Sequence, residues 1–311
     1  MKKIDVLLAA YNGARYLPEQ LVSLRGQDDP SFRVLLQDDG SQDDTYMTLL
    51  QICTADSRFT MGAQQGAGLG AVGNFWSLLE QSSAPYIALC DQDDFWHPDR
   101  LSRCRQTMER AEKQYGEETP LLVHSDCRVI NADGKVLHDS FFDHQGWDRS
   151  ATSFRRLLVQ NNVTGCTILM NEALKKLAVN YGDPAKMVMH DWFLALSAAA
   201  FGHVIMVDAP LVDYRQHGDN VKGASRQGQI QRGVKALGAW QKGKNRIQLT
   251  YDHAKAFGDL YGAVLPEQGR KDIAAYLATK KMKKLQRVIA VQQQGFTMQS
   301  VVTRAGQIVF G

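Results

Sequence analysis

The chain has 311 residues, of which 44% are hydrophobic and 22% are charged. This composition excludes wholesale disorder, and the length fits one large domain with an appendage or two modest domains. The longest apolar run, residues 192–201, is too short for the roughly 18 residues of a membrane span, so we expect a buried helix there. Asp5 interrupts the only N-terminal stretch that resembles a signal peptide, and the five scattered cysteines form no Cys-x-x-Cys pair. These features predict a cytoplasmic protein with reduced thiols.

Charge is distributed unevenly along the chain. Residues 1–221 contain 20 Lys and Arg against 29 Asp and Glu, a balance of −9, whereas residues 222–311 contain 16 against 4, a balance of +12. We therefore expect a domain at 1–221 that uses carboxylates for chemistry. The second part, 222–311, is predicted to be a basic helical extension that faces something anionic.

Strand and helix signals alternate through the first half of the chain. Strand signals occur at residues 4–9, 32–37, 58–61 and 86–90, and the first of them is continuously apolar after Asp5, which is typical of a strand buried on both faces. Helical signals begin near Pro18, at Asp43 or Asp44, and near Ala71. Shorter runs predict further strands at 121–126, 166–170 and 204–207. This alternation predicts an α/β protein with a doubly wound, mostly parallel sheet and helices on both faces.

Polar and acidic turns follow three of the predicted strands. They are Ala10-Tyr11-Asn12-Gly13, Asp38-Asp39-Gly40-Ser41 and Asp91-Gln92-Asp93-Asp94. Ligands of doubly wound sheets bind beyond the carboxyl ends of the strands, so these turns are expected to meet at one edge. Carboxylates crowded together repel each other unless a cation or hydrogen-bond donors compensate them. Helix capping is the alternative interpretation, and it suits Asp43 and Asp44 better than the third turn.

The spacing Asp91-x-Asp93 is informative because it directly follows a buried strand. A nucleotide diphosphate leaves readily only when its charge is neutralised, and a divalent cation held by one or two carboxylates does this. A G-x-G-x-x-G pattern is also present at residues 68–73, before a predicted helix. A dinucleotide fingerprint belongs after the first strand, so we interpret this pattern as a loop that leads into a helix.

Six short segments occur in the order typical of family 2 inverting glycosyltransferases, which the sequence resembles over roughly residues 3–220. They are Ala10-Tyr11-Asn12-Gly13, Asp38-Asp39-Gly40-Ser41, Gly73-Asn74, Asp91-Gln92-Asp93-Asp94-Phe95-Trp96, His190-Asp191-Trp192 and Tyr214-Arg215-Gln216-His217. The last three look like the bacterial rhamnosyltransferase branch. The resemblance implies a GT-A fold, a nucleotide-sugar donor and a Mg²⁺ or Mn²⁺ ion. One departure is His190, which stands where the family commonly has an acidic residue before the catalytic aspartate.

The resemblance, together with side-chain chemistry, implies a role for each residue. The nucleotide would contact Ala10, Tyr11, Asn12, Asp39, Asn74 and Asp91. In this set Tyr11 stacks on a pyrimidine, unless it is an ordinary core residue, and Asp39 accepts a hydrogen bond from N3–H of the base. Asp93 would bind the metal directly, and Asp91 would face the ribose or a metal-bound water. Asp191 would be the general base for the acceptor hydroxyl, or only the N-cap of its helix, and the two roles are compatible.

Five further residues are weaker candidates for contacts to the diphosphate or the acceptor. They are His217, Arg215, Trp96, His190 and Trp192. His217 and Arg215 are predicted in a polar loop that either closes over the diphosphate or lies free on the surface. Trp96 and Trp192 either stack on a sugar or pack in the interior.

The basic extension contains Lys280-Lys281-Met282-Lys283-Lys284 and helical stretches with Val234, Leu237 and Trp240. Basic amphipathic helices bind anionic membrane surfaces, and a solvated helical face is the alternative. Nucleic acid is not an expected partner, because no aromatic residues alternate with the lysines.

These observations predict an inverting, metal-dependent glycosyltransferase at the inner face of the plasma membrane. We expect it to move L-rhamnose from dTDP-rhamnose to a glycan or polyprenyl-linked acceptor, as in the assembly of O-antigen or capsule. The same enzyme class with a UDP-hexose donor is one alternative. A sugar-nucleotide binding protein without activity is another, but such a protein would be expected to lack Asp93 or Asp191. The sequence does not identify the acceptor or the linkage.

Overall fold

The computed structural model describes residues 1–63, 68–217 and 234–310, and the side chains of the last segment from residue 245 to residue 309. The strands are β1 Ile4–Ala10, β2 Phe32–Asp38, β3 Phe59–Met61, β4 Tyr86–Asp91, β5 Phe95–Trp96, β6 Leu121–Asn131, β7 Val136–His138, β8 Leu169–Asn171 and β9 His203–Gln216. The helices are α1 Leu17–Arg25, α2 Thr45–Ala55, α3 Gly70–Gln81, α4 Arg100–Tyr115, α5 Phe141–Gln145, α6 Phe154–Val159, α7 Glu172–Tyr181, α8 His190–Phe201, α9 Val234–Tyr261, α10 Glu267–Thr279, α11 Lys284–Gln293 and α12 Val301–Phe310.

The described strands form one sheet in the order β3-β2-β1-β4-β8-β6-β9-β5, with β7 attached to β6. The half built from β1 to β4 is parallel, as expected. Beyond β4 the sheet is mixed, because β8 runs antiparallel to both β4 and β6, while β6 and β9 are parallel. The α/β class is confirmed. An apolar run indicates burial but not strand direction, so the sequence pattern does not predict that β8 runs antiparallel to its neighbours.

Alternating side chains of β1 supply the cores on the two faces of the sheet. Leu7 belongs to the core formed with α3 and α8, whereas Val6 and Leu8 belong to the core formed with α1 and α2. Successive strand residues point to opposite faces, so a continuous apolar run feeds both cores. Helices therefore cover both faces of the sheet, and the strand ends that carry the polar turns remain at its edge.

Two strands are longer than the sequence predicts. The parallel pairing of β6 with β9 continues past an irregularity beside Asp126 as far as Asn131 and Gln216. Arg215 is thus part of a strand and not of the predicted surface loop. Polar residues such as Asp213 obscure the strand in the sequence, yet Asp213 is buried and pairs with Arg128.

The C-terminal helices share a core with the first part of the chain. Tyr251 and Phe257 of α9 lie in the same apolar cluster as Phe193 of α8, and the rings of Phe193 and Phe257 are 5.6 Å apart. The boundary at residue 221 lies outside the described residues, so the division into domains at 1–221 and 222–311 stays a prediction. Within the described ranges, no helix is both long and apolar enough to span a membrane.

The lysine run of the basic extension lies between two helices, since Lys281 and Lys283 are in the turn between α10 and α11. Lys280, which follows the last residue of α10, lies over the ring of Tyr251. Val234, Leu237 and Trp240 are in α9, but their side chains lie outside the described residues.

Candidate active site

Hydrogen bonds join the turns that follow β1, β2 and β4. The side-chain amide of Gln92 donates to the backbone carbonyl of Tyr11 and accepts from its N–H, both at 2.8 Å. Asn12 is connected to the second turn through its own N–H, which donates to Oγ of Ser41 at 2.8 Å. The three turns therefore form one polar surface at the edge of the sheet, as the sequence predicts.

Gly13 allows the first and third turns to approach this closely. A Cβ atom at Gly13 would lie 2.0 Å from Oε1 of Gln92, far inside any real contact. The side chain of Tyr11 meanwhile projects outward and is 53% exposed, so it is not the core residue of the alternative interpretation. No local pattern singles out Gln92, whose only signal is its position between Asp91 and Asp93.

Asp39 anchors the loop that opens α3. Its two carboxylate oxygens accept hydrogen bonds from the backbone N–H groups of Leu69 and Gly70, each at 2.7 Å. In the first turns of α3, Asn74 is buried and donates to the carbonyl of Ala10 at 3.3 Å. Oδ1 of Asn74 has no hydrogen-bond partner in the described part of the chain. The glycine-rich segment thus follows β3, not β1, which agrees with its interpretation as a loop.

The third turn concentrates negative charge. Ligand atoms of Asp91, Asp94 and Cys166 lie within 4.8 Å of one another. Burial, followed by the carboxylates of Asp94, Asp93 and Asp191, raises the pKa of Asp91 well above its usual range. Burial and the charge of Asp93 raise the pKa of Asp94 to about 7. Such crowding favours either proton uptake or a bound cation.

The donor set fits a hard divalent cation held by carboxylates. Asp91 and Asp93 both line the adjoining cleft, as predicted for metal ligands, whereas Asp94 is fully buried. Burial raises the pKa of the Cys166 thiol well above its usual range, so the sulfur stays protonated and is a poor ligand. Mg²⁺ and Mn²⁺ prefer the oxygen ligands that the two cleft-facing aspartates offer.

His217 lies beside the acidic turn and lines the cleft. Its Nε2 is 2.7 Å from Oδ2 of Asp93, and its ring packs 4.8 Å from that of Tyr16. Nε2 of His217 and Oδ2 of Asp93 either form an ion pair or offer two neighbouring ligand atoms to one cation. His217 therefore lines the cleft, and its contact with a diphosphate stays a prediction.

Arg215 does not face the cleft, contrary to expectation. Its side chain is 1% exposed, and Nε donates to the backbone carbonyl of Asp93 at 2.8 Å. The guanidinium also contacts the carbonyl of Ala132 and the carboxylate of Glu19. Because these contacts hold the guanidinium, Arg215 fixes the position of the acidic turn and is not placed to bind the diphosphate.

Asp191 lies in the first turn of α8 and opens on the same cleft. Its Oδ1 accepts a hydrogen bond from the N–H of Trp192 at 2.6 Å, so it also satisfies one free donor of the helix start. Asp191 lines the same cleft as Asp91 and Asp93, and its charge contributes to the raised pKa of Asp91.

His190 and Trp192, the sequence neighbours of Asp191, line the cleft, whereas Trp96 does not. The buried imidazole of His190 packs 4.3 Å from the ring of Phe75, and burial lowers its pKa to about 4, so it is neutral at pH 7. The indole of Trp192 is fixed by a hydrogen bond to the carbonyl of Leu157. Trp96 is fully buried with the guanidinium of Arg100 3.4 Å above its ring, so it is a packing residue and not a sugar platform.

The cleft has a volume of about 1210 Å³, and its walls come from distant parts of the chain. One end is formed by the turns after β1 and β2 and by the start of α3. The other end is formed by α5, the segment after α6, and α9, which contributes Arg246, Leu249 and Thr250. Asp91, Asp93 and Asp191 line the same cleft. No sequence pattern indicated that α9 takes part in this cleft.

The cleft at the strand ends is lined by the acidic turn and by a separate carboxylate, Asp191, in an α/β fold. The sequence model described as Glycosyl transferase family 2 matches residues 5–177, which carry all three polar turns. The chain therefore belongs to glycosyltransferase family 2.

Related sequences agree with this assignment. The dTDP-rhamnosyl transferase RfbG of Shigella flexneri is 26% identical over 240 residues, which cover 70% of this chain and 74% of RfbG. An uncharacterized protein of Mycobacterium tuberculosis is 27% identical over 221 residues, and the aligned part spans 70% of this chain and only 60% of that relative.

Solved structures show the same fold over most of the chain. TarS of Staphylococcus aureus, in complex with UDP-GlcNAc, superposes with a TM-score of 0.57 at 15% identity, covering 94% of this chain and 80% of the TarS chain. A mannosyltransferase of Pyrobaculum calidifontis, in complex with GDP-Man and Mn²⁺, gives 0.55 at 15% identity, covering 94% of this chain and 73% of that one. The likeness concerns the fold, which is the expected GT-A fold with a C-terminal helical region.

Proposed function

We propose that the protein transfers L-rhamnose from dTDP-rhamnose, with inversion, to a hydroxyl group of a growing bacterial surface glycan or a lipid-linked oligosaccharide. The observation that supports the proposal is that Asp191, which is separate from the acidic turn, lines the same cleft as Asp91 and Asp93. Inversion requires a single carboxylate that removes the acceptor proton, whereas a glycoside hydrolase requires two. The arrangement supplies that carboxylate separately from the acidic turn.

The donor nucleotide is proposed to bind at the end of the cleft formed by the first two turns. Ala10, Tyr11, Asn12, Asp39 and Asn74 all line this end. The exposed ring of Tyr11 offers a flat surface on which a base can stack. Each oxygen of Asp39 retains acceptor capacity beyond its bond to the loop, so N3–H of a pyrimidine can be recognised there.

Asp93 and Asp91 are proposed to hold Mg²⁺ or Mn²⁺ together with the donor diphosphate, with His217 beside Asp93. When bound, the cation would neutralise the charge that develops on the departing nucleotide diphosphate. Arg215 keeps the acidic turn in place through the carbonyl of Asp93. The crystal of the Pyrobaculum calidifontis mannosyltransferase contains Mn²⁺, which supports this class of ion.

Asp191 is proposed to be the general base. Its carboxylate accepts the proton of the acceptor hydroxyl as that oxygen attacks the anomeric carbon of the donor sugar. Such assistance contributes about 10²–10⁴ in rate. The hydrogen bond from the N–H of Trp192 holds the carboxylate in one orientation, and the neutral His190 next to it adds no competing charge.

The identity of the donor rests on the rhamnosyltransferase-like motifs and on the similarity to RfbG. A UDP-hexose is the alternative donor, since TarS was solved with UDP-GlcNAc. Thermal unfolding with dTDP-rhamnose, UDP-glucose, UDP-GlcNAc and GDP-mannose, each with and without Mn²⁺, tests both. A ligand that binds only the native state raises stability by RT ln(1 + [L]/Kd), so the true donor gives the largest metal-dependent increase in Tm. The absence of any increase with all four would contradict a nucleotide-sugar enzyme of this kind.

The C-terminal helices are proposed to bind the inner face of the plasma membrane. Leu285 and Ile289 lie one turn apart on α11 and are 73% and 46% exposed, and Val301 on α12 is 83% exposed. Lys281 and Lys283 flank this apolar surface and are exposed as well. Apolar side chains beside lysines match the interface of an anionic bilayer, where a lipid-linked acceptor would be located.

A further inference from the structure

The far end of the cleft contains a cationic side chain that the proposed chemistry does not use. Arg246 of α9 lines the cleft, and within the described residues no ion pair or hydrogen bond joins it to another group. Its side chain is accessible from the cleft, yet the surrounding protein removes enough water to lower the pKa of the guanidinium. Among the described residues, burial is the only influence on this pKa, so no described carboxylate compensates the charge.

Arg246 is on a different element from the turns that would hold the nucleotide. Those turns follow β1 and β2, whereas α9 packs against α6 and, through the rings of Phe193 and Phe257, against α8. The ring of His253, also on α9, lies 4.4 Å from the ring of Trp192, which follows Asp191 directly. Since α9 thus runs past the start of α8, Arg246 faces the end of the cleft that is next to the base.

The neighbouring side chains are suited to a sugar. Trp147 and Trp192 supply aromatic surface, and Gln145 and Asn161 supply amides at the same end. Aromatic faces and amides recognise neutral sugar rings through stacking and hydrogen bonds. A guanidinium adds a different preference, because its parallel N–H groups bind the paired oxygens of a phosphate or a carboxylate.

We propose that Arg246 binds an oxyanion carried by the acceptor, so that the enzyme selects an anionic acceptor over a neutral one. This inference rests on the proposed function, since it takes the end of the cleft beside Asp191 as the acceptor site. The oxyanion is either a phosphate ester or the carboxylate of an acidic sugar. α9 lies beyond residues 5–177, the part of the chain that the family model matches, so this preference belongs to the C-terminal part of the chain.

The test compares three aromatic probes: phenyl phosphate, phenyl β-D-glucuronide and the neutral phenyl β-D-glucoside. Binding is followed by tryptophan fluorescence of the full chain in saturating nucleotide diphosphate and Mn²⁺, so that the donor site is already occupied. We expect the wild type to bind one anionic probe about tenfold more tightly than the glucoside, the size of one charge-assisted hydrogen bond. The probe that binds identifies a phosphate or a carboxylate as the acceptor group.

Variants at Arg246 assign the preference to that residue. Arg246→Gln should remove the tenfold difference, and Arg246→Lys should keep part of it. Lys255→Gln is the matched control because Lys255 is nine residues further along the same helix, which is half a turn around the axis, and it pairs with Asp259. This control should bind all three probes like the wild type.

Three results would overturn the proposal. The first is a wild type with no preference for either anion, and the second is a preference that persists in Arg246→Gln. The third is a tenfold loss of nucleotide diphosphate binding in Arg246→Gln, which would place Arg246 in the donor site. Failure of the proposed function is recognised separately, because then no sugar nucleotide stabilises even the wild type.

Discussion

The guanidinium of Arg215 and the backbone of Asp93, 122 residues apart in sequence, are joined by a hydrogen bond of 2.8 Å. Arg215 also makes a second hydrogen bond to this turn, because its backbone N–H donates to the carboxylate of Asp94 at 3.0 Å. The acidic turn is therefore held by the last residues of β9, and its geometry depends on a strand that contributes little to the surface of the cleft.

Replacing Arg215 should disturb the turn as well as the stability of the fold. Arg215→Met leaves the carbonyls of Asp93 and Ala132 without their donor, so we expect the free energy of unfolding to fall by about 2–4 kcal/mol and metal-dependent nucleotide binding to weaken. Chemical denaturation and nucleotide titration measure the two effects. Glu19→Gln is the control, because it removes only the exposed partner of Arg215 and should cost less than about 1 kcal/mol.

Replacing Asp93 tests the metal site. Asp93→Asn should abolish transfer and also the part of nucleotide binding that depends on Mn²⁺, because an amide is a much weaker ligand than a carboxylate. Isothermal titration of the nucleotide with and without Mn²⁺ separates the two contributions. Asp99→Asn, at an exposed carboxylate that pairs with Arg103, should behave like the wild type. Full activity in excess EDTA would contradict the role of Asp93.

Replacing Asp191 separates catalysis from helix capping. The Oδ1 of an asparagine can still accept the bond from the N–H of Trp192, so Asp191→Asn preserves the start of α8 but cannot take a proton. We expect kcat to fall by about 10²–10⁴ while the affinity for the donor stays close to that of the wild type. Steady-state kinetics and nucleotide binding check this. A near-normal kcat would reduce Asp191 to a structural residue.

The stability of the protein should fall in acid because of His124 on β6. The imidazole is fully buried, and burial lowers its pKa from 6.5 to about 4. Between these two values the unfolded chain takes up a proton that the folded protein does not, so stability is present above pH 6.5 and lost as the pH falls toward 4. This difference amounts to about 3 kcal/mol at the acid end.

Measurement of unfolding at several pH values checks the role of His124. His124→Leu lacks the titrating group, so its free energy of unfolding should improve relative to the wild type by up to about 3 kcal/mol between pH 6.5 and pH 4. Any fixed cost of the substitution itself appears equally at each pH. A difference between the two proteins that is constant over this range would show that another group causes the acid sensitivity.

Lysine substitutions test membrane binding. Replacing Lys281, Lys283 and Lys284 by Gln should weaken co-sedimentation with anionic vesicles by tenfold or more at low salt, since each lysine near such a surface contributes about 1 kcal/mol. The matched control replaces Lys3, Lys113 and Lys135, which are exposed on the first part of the chain. Equal sedimentation of both triple variants would assign the C-terminal lysines to solubility or to contacts between protein chains.

The sequence predicts well the part of the cleft formed by the three polar turns, because that part follows local rules. Apolar runs locate β1, β2 and β4, and the turns that bear Tyr11, Asp39 and Asp91 follow directly from where these runs stop. The family resemblance adds Asp191, which lines the same cleft as the acidic turn. Secondary-structure periodicity and turn chemistry are short-range signals, and this half of the site is built from them.

The remaining features depend on contacts between distant segments. Trp96 and Arg215 belong to motifs, yet Arg100 covers the first and the pairing of β6 with β9 buries the second. Arg246 is 55 residues after Asp191, and only the shared core of α8 and α9 brings it to the cleft. Motifs indicate which residues occur together in a family, but not which face of a strand or helix each side chain occupies.

In the chain, Gly202 alone separates α8 from β9. Asp191, in the first turn of α8, and His217, directly after the end of β9, both line the cleft. At the junction of α8 and β9, a Cβ atom on Gly202 would lie 1.9 Å from the carbonyl oxygen of Pro120, so the backbone at this corner packs directly against the backbone at Pro120. Each residue inserted into or deleted from β9 would displace His217 by about 3.3 Å and turn the following side chains to the opposite face. The number of residues between the corner and the cleft therefore sets the position of His217 relative to Asp191, so the length of β9 is itself a determinant of the geometry of the cleft.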